Sequence, residues 1–324
     1  MNGSNWFTIL EIFSIGIFGV VYSLDWSYND ISQWKESYPA CNGYRQSPID
    51  IRSDEVTLVK EDQDPFEFSD AFLRPMKGAV IMNTGVSYQI NDTEDLREIR
   101  GGGLSSGYTL RQLHFHLGTP SRRLGSEHQI DGRQFSGEMH LVLSRNQQRD
   151  SSRSESHKNA PFEPNAVLAF FLQVSENDQG KSSEFWEKVT NSIQPLRSAD
   201  DLLEMTPAQT INLADVIPFG DYQSMRSFYR YSGSLTTPPC SETVVWTVFQ
   251  QPLTITKSQY DKFFPRPDDN TPKERPQNNF RKTKDLNSRI VYKTTTRMNR
   301  SSNGFRTNVF SPAVTIMLIL IPIL

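Results

Sequence analysis

Cysteine and histidine are scarce in this 324-residue chain, with two and five copies, and neither sign of charge dominates: 34 Lys and Arg face 37 Asp and Glu. Two cysteines exclude a disulfide-dense miniprotein and a four-cysteine zinc site, leaving one bridge or two thiols. A formal net charge of -3 gives no whole-protein basic field, so nucleic acid is not an expected partner. Internal repeats and heptad runs are also missing. With 36% hydrophobic and 22% charged residues the chain still has apolar mass for a core. That composition excludes a disordered polymer, a collagen and a polytopic membrane protein.

The apolar runs are at the ends. Residues 6–21 hold one charge, Glu11, and stop just before Tyr22 and the small Ser23. This reads as a secretory signal peptide over residues 1–23, with a buried N-terminal helix as the alternative. Residues 313–324 are apolar to the last residue, too short at about 1.5 Å each to span about 30 Å of hydrocarbon. A polar spacer precedes them, and before it stand the small residues Ser301, Ser302, Asn303 and Gly304. That order is the signal for a GPI lipid, so 305–324 reads as a removed segment and 293–304 as a stalk with the attachment site. A sticky terminal strand or anchor helix is the alternative. The expected location is the outer face of the plasma membrane, with the lipid in its outer leaflet; a soluble secreted protein is the rival. Secretion would allow Cys41 and Cys240 to bridge, and Asn91 and Asn299 head N-glycosylation sequons.

Residues 24–292 read as one unit. Short runs at 79–82, 108–117, 139–143, 167–174 and 243–249 are rich in apolar, β-branched and aromatic residues and are separated by Gly, Pro and Asn, as strands are. Helical signals are fewer, at 182–193 and 256–264, and 145–164 is a polar insert expected to be an exposed loop.

Three of the five histidines fall in two of these strands, as Gln112-Leu113-His114-Phe115-His116 and Glu138-Met139-His140. Side chains two apart on a strand share a face, so His114 and His116 can converge, and His140 can join them from a neighbour. Three neutral imidazoles leave the fourth tetrahedral position of Zn²⁺ open, as in a catalytic site. Gln112 and Glu138 each stand two residues before a histidine and could take its other ring N–H. A binding module with a hydrogen-bonded histidine core would look the same at this level.

Over residues 26–292 the chain resembles the α-class carbonic anhydrases in their secreted, membrane-tethered form. The resemblance lies in QSPIDI (46–51), QLHFHLG (112–118), GSEHQIDG (125–132), GEMHLVL (137–143), AVLAFFL (166–172), YSGSLTTPPCSETVVW (231–246) and NNFR (278–281). It implies a mainly β domain with peripheral helices around a large, mostly antiparallel twisted sheet. It also implies Zn²⁺ held by His114, His116 and His140, with Gln112, Glu138 and the carbonyl of Asn279 as their supports. Thr236 is similar to the family's gate residue, which hydrogen-bonds the nucleophile and donates to Glu127; Thr237 would position product. Val142, Val167, Leu235, Val244 and Trp246 match the apolar wall for CO₂, and Cys41 and Cys240 match the bridge of secreted members.

The implied activity is reversible hydration of CO₂ to bicarbonate, with sulfonamides and anions as expected inhibitors. A surface protein of this family kept for binding or adhesion is the alternative. Three positions depart from the pattern. Val86 stands where fast members carry a proton-shuttling His, and the spare His128 and His157 offer no replacement: one follows Glu127 in a segment expected to be buried, the other lies in the polar insert. Leu117 and Leu143 replace a Trp and a His and are expected to keep the cleft lining apolar.

Overall fold

A computed structural model describes residues 26–59, 65–146, 163–176, 183–219, 221–264 and 278–294. The signal peptide, the GPI segment with Ser301, Ser302, Asn303 and Gly304, the sequon at Asn299, and His157 lie outside these residues.

In chain order the strands are β1 (Asp50–Ile51), β2 (Thr57–Val59), β3 (Glu67–Phe68), β4 (Val80–Asn83), β5 (Tyr88–Asn91), β6 (Glu98–Arg100) and β7 (Tyr108–Leu117). They continue with β8 (Gln129–Ile130), β9 (Gly137–Arg145), β10 (Asn165–Ser175), β11 (Leu202–Glu204), β12 (Phe228–Gly233), β13 (Val244–Thr256) and β14 (Tyr292–Thr294). The short helix α1 (Trp34–Ser37) precedes β1, and α2 (Glu184–Ser192), α3 (Tyr222–Arg226) and α4 (Lys257–Asp261) lie between later strands. The main sheet has 12 strands and runs β11-β4-β5-β7-β9-β10-β13-β12-β14-β2, with β6 on β7 and β3 on β6. Most neighbours are antiparallel; β10–β13 and β14–β2 are parallel. The sheet therefore runs to Thr294, two residues into the segment read as stalk.

The strand period of two sorts the centre of this sheet into two faces. One transverse row reads Gln89, His114, His140, Ala169, Val248, Tyr229 across β5, β7, β9, β10, β13 and β12. The next row on the other face reads Phe115, Met139, Phe170, Phe249, Phe228. The phenylalanine face carries the main core, where Phe170 stacks on Phe249 and α2 buries Phe185, Trp186 and Val189. The histidine face carries a second, smaller apolar cluster built on Val167, Ala169, Phe171, Tyr231, Val244 and Trp246. Strand β10 lies between both clusters and is buried nearly throughout, which explains its unbroken apolar run.

The polar insert closes a hairpin: Arg145 N–H donates to the Pro164 carbonyl at 2.9 Å, joining the ends of β9 and β10. Residues 147–162 within it lie outside the described residues. The bridge Cys41–Cys240 ties the N-terminal segment to the loop after β12 across 199 residues. Among the described residues no helix is long and apolar enough to cross a membrane.

The turn after β5 is held by an internal charge. Buried Arg97 reaches Asp92 at 2.9 and 3.0 Å, Glu94 at 3.1 Å, and the carbonyls of Arg74 and Pro75. Removing one partner of a buried pair strands the other charge, at a cost of about 3–5 kcal/mol. Arg97→Leu is therefore expected to lower the urea midpoint sharply, and replacing Asp92 with an apolar residue as well should recover most of the loss. An unchanged midpoint in Arg97→Leu would refute this account of the turn.

Candidate metal centre

Antiparallel pairing of β7 with β9 sets His114 opposite His140 and His116 opposite Glu138. His114 Nε2 lies 3.1 Å from His116 Nε2, which lies 3.1 Å from His140 Nδ1. Each ring's other nitrogen already has an acceptor: Gln112 Oε1 at 2.9 Å for His114, the Asn279 carbonyl at 2.6 Å for His116, and Glu138 Oε1 at 2.7 Å for His140. Those bonds put the three protons on the outside and leave three lone pairs facing one another. Two nitrogens on one tetrahedral Zn²⁺ at about 2.05 Å would be about 3.3 Å apart, so the spacing fits the ion.

Burial, then the neighbouring His116 and His140, holds His114 well below the ordinary imidazole value; burial does the same to His116. Both rings are thus neutral, the form that ligates. Burial alone would raise the Glu138 carboxyl, but His128 and His140 hold it below the usual carboxylate range. It is an anion that accepts His140 and His128 ring protons on Oε1 and the His128 backbone N–H on Oε2.

Glu127 is the other buried acid. Its Oε1 accepts the Arg281 backbone N–H at 2.8 Å, and its Oε2, 3.4 Å from His116 Nε2, has no hydrogen-bond partner among the described residues. Thr236 is buried, and in the same turn the Thr237 carbonyl accepts the N–H of Cys240. Val142, Val167, Leu235, Val244 and Trp246 all belong to the apolar cluster of the histidine face, and the Trp246 ring packs 4.9 Å from that of His140. Val86 is half-buried, with its carbonyl held by the Asn279 side-chain amide at 2.8 Å.

Two expectations about the lining are corrected. Leu117 and Leu143 do not line the cleft; both sit in the main core on the phenylalanine face. Leu143 is three residues from His140 and Leu117 one from His116, odd intervals that place them across the sheet. The Asn279 amide, read only through its carbonyl, also binds both neighbours of His116: it donates to the Phe115 carbonyl and accepts the Leu117 N–H.

Four supporting residues carry no role in the sequence reading. His128 Nε2 lies 2.7 Å from the Tyr231 hydroxyl, which is 2.8 Å from Ser47 Oγ, so a polar chain runs inward from Glu138. Burial keeps the Tyr231 phenol far above its ordinary value and therefore neutral. Arg281 hooks Gln46 Oε1 and the carbonyls of Ser47 and Cys41 with its guanidinium. The available signal was their position inside the stretches that carry the resemblance.

Residues 29–295 match the model of the eukaryotic-type carbonic anhydrases. The chain is 31% identical over 275 residues to human carbonic anhydrase 12, covering 82% of this chain and 72% of that one. It is 33% identical over 268 residues to mouse carbonic anhydrase 7, covering 80% and 92%. To a putative carbonic anhydrase 3 of Caenorhabditis elegans it is 34% identical over 273 residues, covering 82% and 96%.

A pH dependence follows for the metal-free protein. The unfolded chain takes up protons at His114 and His116 as pH falls through about 6.5, while the folded rings stay neutral. The unfolded state then binds more protons, so stability drops with falling pH. Glu138 acts in the same direction below 4.5. Calorimetry of chelator-treated protein should show the melting temperature declining from pH 7.5 to 5.5, on the scale of about 6.5 for an ordinary imidazole. A flat profile would mean the rings are not held neutral.

Proposed function

The chain belongs to the eukaryotic-type carbonic anhydrase family and is a carbonate dehydratase, and we propose that it works with Zn²⁺ on His114, His116 and His140 at the cell surface. The carrying observation is the trio of converging imidazole nitrogens whose outer N–H groups are all engaged. Zinc there would lower the pKa of a coordinated water to about 7 and so supply a nucleophile at neutral pH, an effect for which carbonic anhydrase is itself the type case.

The protein's own residues do the rest. CO₂ has no charge to grip, so its place is the apolar wall of Val142, Val167, Leu235, Val244 and Trp246. Glu127 Oε1 is taken by the Arg281 N–H, and Oε2, without a partner among the described residues, is left to accept the Thr236 hydroxyl in this reading. A hydroxyl whose proton is given to Glu127 can only accept from the nucleophile, which orients it toward the wall. Thr237 positions bicarbonate. Sulfonamides and small anions compete for the same place.

Proton export is the slow step in this reading, because Val86 cannot titrate. Water accepting a proton from a group of pKa about 7, with recombination at about 10¹⁰ M⁻¹s⁻¹, allows roughly 10³ s⁻¹, and fast proton diffusion about ten times more. Either is well below the order of 10⁶ s⁻¹ reached by the fast enzyme. The cell-surface placement draws on residues 1–23 as a signal peptide and 305–324 as a GPI signal. A Cys41–Cys240 bridge, at home in an oxidising compartment, supports it.

Stopped-flow CO₂ hydration on the zinc-loaded protein tests the chemistry. Activity should vanish with a chelator and climb with imidazole, and Val86→His should raise turnover in imidazole-free buffer by about tenfold, the gap between water and an internal shuttle being larger still. Fast, buffer-insensitive turnover would remove the Val86 account; inactivity after zinc loading would remove the zinc site. For location, a phosphatidylinositol-specific phospholipase should release the activity from intact cells. Activity that stays on the membrane, or is already in the medium, contradicts the lipid anchor.

A further inference from the structure

We propose that Asn91 carries an N-linked glycan that lies on the wall of the metal cleft and screens it by ligand size. The inference rests on the secretory reading above. The pairing of β5 with β7 sets Gln89 opposite His114 and Asn91 opposite Gln112. Directly paired residues share a face, so the Asn91 side chain stands on the sheet face that bears the histidines. Two residues along a strand and one strand across put the Cα atoms of Asn91 and His114 about 8–9 Å apart. That is the edge of the cleft rather than its floor.

The local structure leaves the amide nitrogen available. Asn91 is half-buried at the last residue of β5; its Oδ1 accepts from Gln89 Nε2 at 2.7 Å, and its Nδ2 has only the weak acceptor Met82 Sδ at 3.5 Å. Asp92 is locked inward by Arg97, while Thr93, which completes the sequon, is exposed with its hydroxyl on the Gly78 carbonyl. The strand thus ends by turning its acid in and its sequon outward.

A second, independent feature says what the first sugars would rest on. Outward from Gln89 and Asn91 the same face continues over Met82 and Val80 of β4 to Leu202 of the edge strand β11. Met82 and Val80 are part-exposed, and Leu202 is 61% exposed. This is a mainly apolar shelf, with exposed Glu204 opposite Val80, on the outer side of the polar residues of that face. An N-acetylglucosamine ring has one apolar face of C–H groups and a polar edge, so a sugar joined at Nδ2 can cover the shelf and keep its hydroxyls in water. The glycan then stands across the opening from Val167 and Trp246. CO₂ and bicarbonate pass beneath it, while wide ligands meet it.

The test uses the full chain made in a eukaryotic secretory host and loaded with zinc. Occupancy is read from the mass of the peptide containing Asn91 before and after peptide N-glycosidase. Access is read from the affinity of a benzenesulfonamide and of the same head group tethered to dextran. The dextran conjugate should bind wild type at least about tenfold more weakly than the deglycosylated protein, Asn91→Gln or Thr93→Ala, a difference of about 1.4 kcal/mol. Thr93→Ser, which keeps the sequon, should behave as wild type. The small sulfonamide and CO₂ hydration should agree across all preparations. A bare Asn91, or conjugate binding that does not change on glycan removal, overturns the proposal. Failure of the small sulfonamide everywhere overturns the zinc reading and the screening with it, whereas occupancy is read from the peptide mass alone.

Discussion

Lone pairs on three closely set histidine nitrogens repel one another, and the candidate metal centre is organised around holding them together. A neutral imidazole can turn its ring or move its proton to escape such contact, and each escape is closed here by an acceptor on the far side of the ring. Gln112, the Asn279 carbonyl and Glu138 fix the tautomers, and His128, Tyr231 and Ser47 fix Glu138 in turn. A cation at the centre would turn the mutual repulsion into attraction. The burial of Glu138 is tolerable for the same reason: two imidazole N–H groups and a backbone N–H converge on its carboxylate.

The sheet divides the labour around that centre. On the histidine face one side is apolar, built on Val167, Val244 and Trp246, and the other is polar, built on Gln89 and Gln112. In the proposed reaction an uncharged gas and a charged product would each find a matching surface there. The opposite face is free of this requirement and is filled by phenylalanine and leucine, which is where the sheet gains most of its packing.

Local parity made much of this legible in the sequence. The His-x-His spacing, the phase of His140 and the acceptors two residues before were readable because a strand repeats every second residue. The same rule would have sent Leu117 and Leu143 to the core, and family expectation overrode it. The run expected at 243–249 extends in β13 to Thr256, past an irregularity at Gln250, Gln251 and Pro252 in the pairing with β10 that breaks its alternation. Helix α4 starts after Thr256, where a capping box with Gln259 fixes the entry, and is shorter than its apolar pattern suggested. Period and propensity do not report long-range partners, which is why Arg281 and the wider role of Asn279 were missed.

The hooks from residues 279–281 also set the order in which the site can be assembled. His116 leans on Asn279, 163 residues later, and Glu127 on Arg281, 154 residues later. While the chain is still being made, β7 and β9 can pair and bring the three histidines together, yet neither the His116 ring nor the Glu127 carboxylate has its final partner. On the proposed zinc reading, a nascent chain that captures the metal early would therefore hold it before it can orient anything around it. The final partners arrive only when residues 279–281 reach back to Gln46, Ser47, Val86 and Phe115, a closure over long loops that is intrinsically late in folding.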